Sequence, residues 1–305
     1  MIRFWQKIYA KNDNVKAYSL LLPALILVIL AMASPMLLTV VTSFHTQVSM
    51  MVIDTTLTLD RYKDFFSKPV YTMLLVRSIK ISFFVTLVTL ITTYPLAYYI
   101  AFYVKKNKML WIVLMTLPFW TSYLLRVFSW KVILGHKGVI NSALMVSGMI
   151  SEPLSFLIYS QTAVVITLAH AWAAFAILPL YVSLDKIDKS LLEASYDLGN
   201  TKLETFWRVT FPLSLPGVIG AILIIFIPTV GDYVTPQLVG GTDGRMLSNM
   251  IQSLFGRANN FPLGAASAGL MLLSVSFVAV VVTYITRKVS LRISQCIIRI
   301  IFYFF

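Results

Sequence analysis

Apolar runs of spanning length recur along the chain at about Leu20–Ser43, Ile79–Val104, Met109–Trp130, Leu157–Val182, Leu213–Tyr233 and Leu263–Thr286. Runs of about 20 apolar residues are the length that carries an α-helix across the hydrocarbon layer of a bilayer. The pattern therefore predicts an all-α polytopic membrane protein with six transmembrane helices. Arg3, Lys7, Lys11 and Lys16 precede the first run in the manner of a secretory leader. That run is too long for an h-region and no A-x-A-like site follows it, so it reads as a retained span. The organisation expected is a segment 1–19, a transmembrane domain 20–286 and a tail 287–305.

Composition supports lipid as the solvent. Hydrophobic residues make up 58% of the chain and charged residues only 12%, about half the charged share of a soluble domain. The formal charge of +13 does not point to nucleic acid, because the basic residues sit in short clusters beside the apolar runs. Lys105, Lys106 and Lys108 form one such cluster, and Arg287, Lys288 and Arg292 another. The segments His45–Arg77 and Thr235–Pro262 mix signs and are richer in Gly, Asp, Thr and Asn. With six spans, the positive-inside bias places both termini and the loop from Leu184 to Pro212 on the cytoplasmic side. Cys296 is the only cysteine, and His45, His136 and His170 are far apart, so no disulfide and no metal site is expected. No G-x-x-x-x-G-K-[ST] occurs, so the chain has no phosphate-cradling loop of its own. The tail "ISQCIIRIIFYFF" is too short to span a bilayer and is interrupted by Arg299.

The loop between the fourth and fifth spans holds Asp185, Asp188, Glu193, Asp197 and Glu204 among the twelve acidic residues of the chain. They mix with Lys186, Lys189, Lys202 and Arg208, which places the segment in water. Ser190-Leu191-Leu192-Glu193 fits a capping box that starts a helix over Leu191–Leu198. Gly199 then suits the left-handed position that ends it. Thr201-Lys202-Leu203-Glu204 repeats the box, and Pro212 and Pro216 fit the entry to the next span. The pattern is helix, glycine turn, helix, membrane. A stub this short is marginal alone and requires anchoring or a partner.

Glu193-Ala194-Ser195, Gly199 and Val209-Thr210-Phe211-Pro212 resemble the EAA loop of ABC importer permeases. Ser195 stands where that family has a second alanine, Val209 where it has isoleucine and Phe211 where it has leucine. The resemblance extends over about Leu20–Arg292. Thr58-Leu59-Asp60-Arg61-Tyr62, Pro118-Phe119-Trp120-Thr121-Ser122 with Arg126, Gly231-Asp232-Tyr233-Val234 and Gly240-Gly241 are similar to the spermidine/putrescine permease group. This implies a type I importer permease fold in a bacterial inner membrane, with no catalysis in this chain. The short helix between spans 4 and 5 would couple to a dimer of ATP-binding subunits, which hold the ATP and Mg. A second permease subunit, forming a heterodimer with this chain, and a periplasmic or extracellular solute-binding protein complete the implied assembly. Glu193, Ala194, Ser195, Asp197, Gly199 and Pro212 are the implied coupling residues, with Lys202 a further contact. Glu193 has a second reading, as a helix cap only.

The solute is less constrained. Permeases for opines, ferric iron, phosphonates and amino-acid-like solutes share the same outline. A polyamine needs carboxylates and aromatic faces along its path, and Asp232, Tyr233, Trp120, Tyr123 and Trp172 are the candidates. Trp and Tyr near span ends also serve as interface anchors, and Asp232 also fits an ordinary loop-edge carboxylate. Arg126 lies within the third run, where a long basic side chain snorkels or pairs. His170 reads as a helix–helix hydrogen-bonding residue. A secondary transporter would carry ion-coupling carboxylates inside its spans, and a membrane enzyme a His/Asp/Glu cluster. The chain has neither pattern.

Overall fold

The structure, a computed structural model, describes residues 13–49 and 52–304. Arg3, Lys7 and Lys11 lie outside the described residues, as do the side chains of Lys16, Arg287, Arg292 and the tail from Ile293. The described chain is helical apart from one β-hairpin. Five helices are long and apolar enough to cross a membrane, and one bent pair brings the spans to six. The chain divides into two compact units, residues 1–67 with 254–269, and 68–253 with 270–305.

The first unit contains α1 (Asp13–Thr42), the antiparallel pair β1 (Thr46–Ser49) and β2 (Val52–Asp54), and α2 (Asp60–Ser67). No residue in the apolar stretch of α1 is buried, as expected of a helix whose surroundings are lipid or another subunit. At its end Ser43 Oγ lies 2.8 Å from the Tyr62 hydroxyl, and Phe44 packs on the Tyr62 ring. These contacts fix the return of the chain toward α2.

The second unit is built on three helices: α3 (Pro69–Phe102), α7 (Gln161–Asp185) and α10 (Phe211–Gly231). Between lie α4 (Lys108–Thr116), α5 (Tyr123–Leu134) and α6 (Val139–Val146). After α7 come α8 (Lys189–Asp197) and α9 (Lys202–Thr205). After α10 come α11 (Val234–Val239), α12 (Leu247–Gly256), which passes into the first unit, and α13 (Phe261–Phe304), which begins there and returns. The backbone of the tail continues α13 rather than forming a separate element.

The buried face of α3 combines small and polar residues, Ser78, Ser82, Thr86, Thr89, Thr93, Ala97 and Ala101, with the larger Leu74, Ile81, Val85 and Ile100. Their spacing of three and four keeps them on one side of the helix. Facing them, α7 buries Ala163, Ala169, Ala171, Ala174 and Ala176. Lipid tails are as apolar as leucine, so helices in a bilayer gain little by hiding large apolar groups and associate where small residues allow close approach. The hydroxyls do not disturb this, because Ser78, Thr86, Thr89 and Thr93 each donate to the carbonyl four residues earlier. Other large apolar side chains of α3, among them Val76, Phe83, Phe84 and Ile91, are exposed.

The contact of α7 with α10 is closer still. A Cβ on Gly217 would lie 2.4 Å from both the Pro179 carbonyl oxygen and Ser183 Cβ. Gly217 N–H donates to Ser183 Oγ at 3.3 Å, and Ser183 Oγ donates to the Ser214 carbonyl at 3.3 Å. Pro179 and Pro216 sit inside these helices, and each removes a ladder donor at the crossing.

The third span departs from the uninterrupted helix expected over Met109–Trp130. It breaks between Trp120 and Tyr123, and the two halves meet at 84°. Pro118 enters a tight turn over Leu117–Trp120, Thr121 becomes extended, and its hydroxyl takes the Pro118 carbonyl at 2.7 Å. A side-chain hydroxyl that competes for a backbone carbonyl beside a proline is sufficient to end a helix. The run of apolar residues does not register this.

We expect Gly217→Val to force α7 and α10 apart. The overpacking should cost about 1–3 kcal/mol and lower the midpoint of thermal unfolding of the purified protein. Gly220→Val is the control, because a Cβ there meets only Pro179 Cβ at 3.5 Å.

Candidate functional site

Two places on the second unit gather the chemistry. The first is the hairpin of α8 and α9. Asp188 caps α8 by accepting from Ser190 N–H at 3.0 Å. Sequence reading expected Ser190 as the cap, with Glu193 reaching back; the helix instead starts at Lys189. A carboxylate is the stronger partner for the exposed amides and the positive end of the helix dipole. The Ser190 N–H and hydroxyl hold the Asp188 carboxyl below its ordinary value. The cap therefore persists as pH falls into the usual carboxylate range, and is lost only as pH drops through the lowered value.

The helix ends as its glycine predicts. Gly199 has φ +84°, its N–H donates to Tyr196 O at 2.8 Å, and Asn200 N–H donates to Ser195 O at 3.2 Å. These are the paired bonds of a Schellman ending. Thr201 and Glu204 then form the expected capping box around α9: Thr201 N–H donates to Glu204 Oε2 at 2.8 Å and Glu204 N–H to Thr201 Oγ1 at 3.3 Å.

Ser195 is buried at 4% exposure. Its hydroxyl lies 2.9 Å from Thr205 Oγ1 and accepts from Asn200 Nδ2 at 3.2 Å. Asn200 Oδ1 in turn accepts from Arg208 at 2.9 Å. Where the resemblance has alanine, this chain thus has a polar lock that closes the hairpin. Glu193, Ala194, Asp197 and Lys202 are exposed, and the Glu193 side chain makes no hydrogen bond or ion pair among the described residues. Leu198 and Leu203 stand beside them at 62% and 68% exposure. Sequence reading did not single out these two; their signal is an apolar residue in an otherwise polar loop.

From α9 the chain enters a π-turn over Phe206–Thr210, with Phe211 N–H donating to Phe206 O. Phe206 packs edge-on against Tyr94 and Tyr98 of α3, with ring centroids 5.9 Å away in each case. Phe211 packs on Tyr94 and on Trp207. The Tyr94 hydroxyl lies 2.8 Å from Ser214 Oγ of α10, and Pro212 is buried at the start of that helix. Lys108 donates to Asp185 at 2.6 Å and to Ala101 O at 2.8 Å, tying the ends of α3, α4 and α7 together. The hairpin is therefore fastened to all three core helices.

The second place lies at the opposite end of α10. The Tyr123 hydroxyl donates to Asp232 Oδ2 at 2.6 Å and lies 2.6 Å from Thr235 Oγ1. Asp232 Oδ1 accepts from Val234 N–H at 3.0 Å. Ser248 Oγ donates to the Asp232 carbonyl and Asn249 Nδ2 to the Tyr233 carbonyl. Leu247 N–H donates to Ser78 Oγ, which fixes this end to α3.

An aromatic band starts from the helix break. Phe119 stacks near His170 and edge-on to Phe175, Phe175 meets Trp172, and Trp130 meets His170. The Arg126 guanidinium lies over Phe119. Of the residues expected here, Tyr123 and Asp232 are in direct contact and Trp172 joins the band. Trp120 is 87% exposed, and Tyr233 is exposed beside the site rather than within it. His170 engages two rings instead of a hydrogen-bonding partner across helices. Thr235 and Phe119 are the additions; Phe119 lies in the Pro118–Ser122 stretch that carries the resemblance, and Thr235 has no sequence signal apart from the fold.

Comparison with known proteins agrees with this architecture. Residues 50–291 match the family described as "Binding-protein-dependent transport system inner membrane component". The spermidine/putrescine transport system permease protein PotB of Escherichia coli K12 is 35% identical over 246 residues, which cover 78% of this chain and 89% of that protein. The PotB protein of Haemophilus influenzae is 34% identical, with 85% and 91% covered. The inner membrane ABC transporter permease protein YdcU of E. coli K12 is 31% identical over 76% of each chain. Among solved structures, a chain of a bacterial alginate ABC transporter, in complex with its alginate pentasaccharide-bound periplasmic protein, superposes with a TM-score of 0.70. Identity there is 16%, and the match covers 94% of this chain and 98% of that one, so the likeness is one of fold. With a spanning-helix core, a hairpin between its fourth and fifth spans and a family match over most of its length, the chain belongs to the inner membrane permease components of binding-protein-dependent transport systems.

Proposed function

We propose that this permease moves a polyamine such as spermidine or putrescine, received from a solute-binding protein, and that ATP hydrolysed on a docked pair of partner subunits drives it. The observation that carries the solute reading is the Tyr123–Asp232 pair, a carboxylate held at 2.6 Å by a phenol beside a band of aromatic rings. A flexible polycation is recognised by that combination, ammonium to carboxylate and alkyl-ammonium to aromatic face. The names of the relatives point the same way.

For coupling, the α8–α9 hairpin offers a polar rim of Glu193, Asp197 and Lys202 around exposed Leu198 and Leu203. A partner cleft that buries those leucines would gain about 1.5–3 kcal/mol from each. Movement of the hairpin would then pass through the Ser195–Thr205 lock and the Phe206–Tyr94–Tyr98 rings to the core helices. The orientation follows from this docking, with the hairpin and both termini on the cytoplasmic side and Asp232 on the outer side. A second permease subunit would complete the path.

One observation favours a second reading. Arg126 lies over the Phe119 ring and forms no ion pair among the described residues, and a guanidinium suits a solute that carries a carboxylate or phosphonate.

Calorimetry of the partner binding protein with putrescine, spermidine and unrelated cations tests the solute; binding of neither polyamine ends that reading. In proteoliposomes containing the whole transporter, Asp232→Asn should lower putrescine uptake about tenfold or more, through loss of one charge-assisted contact of about 1.5–3 kcal/mol. Tyr123→Phe should have a smaller effect, and a wild-type rate for Asp232→Asn removes that residue from the path.

At the hairpin, a Cβ on Gly199 meets nothing within 4 Å, so any cost there is purely one of backbone conformation, about 1–2 kcal/mol. Gly199→Asn should therefore retain most uptake, Gly199→Val should lose it, and Glu193→Trp should lose it with insertion intact. Ser195→Ala leaves buried Thr205 without its partner, at a cost of about 1–3 kcal/mol. Hydrogen exchange of the α8–α9 amides should quicken in that variant and recover in Ser195→Ala/Thr205→Val.

A further inference from the structure

Arg126 stands in the first turn of α5, just past the break in the third span. Its guanidinium carbon is 4.6 Å from the centre of the Phe119 ring and 5.9 Å from that of Tyr123. Among the described residues it forms no ion pair. Nη1 reaches the Pro118 carbonyl at the long distance of 3.5 Å, and Nε is buried without a partner. A guanidinium that is partly withdrawn from water and short of acceptors is held mainly by the rings beneath it. Tyr123 touches two opposite charges at once, because its ring faces Arg126 while its hydroxyl donates to Asp232. The Tyr123 ring beside the carboxylate is thus already faced by a cation that belongs to the chain.

We propose that the Arg126 guanidinium is a tethered occupant of a cation position on Phe119 and Tyr123, and that a solute ammonium enters that position only by displacing it. The proposal rests on the cationic-solute reading above. It makes Arg126 a specificity-determining residue. A monoamine competes with the guanidinium for the rings alone and loses, since the guanidinium is attached and always present. A diamine reaches the rings with one end and Asp232 with the other, and the second contact is gained at high effective concentration once the first is made. Selection for two charges then arises from a cation that resists single ones.

The test uses the whole transporter in nanodiscs, without the binding protein, titrated calorimetrically with putrescine and with butylamine. Arg126→Gln should tighten butylamine binding about 5-fold or more and putrescine binding by less, so that discrimination narrows. Adding Phe119→Ala should remove the gain. Unchanged or weaker butylamine binding in an intact Arg126→Gln complex overturns the proposal. If that complex does not assemble, Arg126→Met serves, since it keeps a long apolar stem over the rings and removes the charge, and the same narrowing is expected and the same null overturns it. Failure of the solute reading shows separately, as a wild-type complex that neither binds nor transports putrescine or spermidine. Guanidinium chloride then becomes the probe. It should bind Arg126→Gln but neither the wild type nor Phe119→Ala/Arg126→Gln, and absence of that pattern overturns the tethered occupant. Binding of methylphosphonate by the wild type, lost in Arg126→Gln, overturns it too and identifies Arg126 as an anion ligand.

Discussion

Inside a bilayer, helices have no water to escape, so what holds α3, α7 and α10 together is how closely their backbones approach. Everything else in the second unit is arranged around that approach. The serines, threonines and alanines of α3 and the alanines of α7 leave room for it, and Gly217 against Pro179 and Ser183 sets its tightest point. Most hydroxyls in this interface donate to a carbonyl on their own helix, while Ser82 Oγ and Thr167 Oγ1 are buried without a partner among the described residues. At the tightest point packing and hydrogen bonding coincide, since Ser183 both crowds Gly217 and accepts from its N–H.

A core this closely packed carries an attachment that is built separately. The α8–α9 hairpin obtains its shape from its own ends, through the Asp188 cap, the Schellman ending at Gly199 and the Thr201–Glu204 box. At its exit it meets the core chiefly through the ring of Phe206, which lies edge-on against Tyr94 and Tyr98. A self-supporting element on a narrow neck transmits displacement as a unit instead of dissipating it by local unfolding.

Much of this was legible in the chain. The apolar runs locate the spans, and the order of cap residues, glycine and proline marks the hairpin, because both depend on local sequence. The break at Thr121 was not legible, since hydropathy does not distinguish a straight span from a bent one. Asp188 displaced Ser190 as a cap because two adjacent candidates compete, and only the backbone angles decide between them. The small-residue stripe of α3 is hidden in a run whose exposed face supplies the hydropathy. The Tyr123–Asp232 bond joins residues far apart in sequence, and each looks alone like an ordinary interface residue. The Ser195 lock looked like a small departure from a family pattern, and only the position of Thr205 gives that serine its purpose.

The π-turn at Phe206–Thr210 has a consequence of its own. From Lys202 to Gly231 the chain is one continuous rod, but the turn adds a residue to its winding, and each residue of an α-helix accounts for about 100° of rotation. The rod therefore has a phase defect between the hairpin and the membrane. The face that Phe206 turns toward Tyr94 and Tyr98 and the face that Gly217 turns toward α7 are brought into register by that single extra residue. Rewinding this stretch as regular helix would turn one face relative to the other by about 100°.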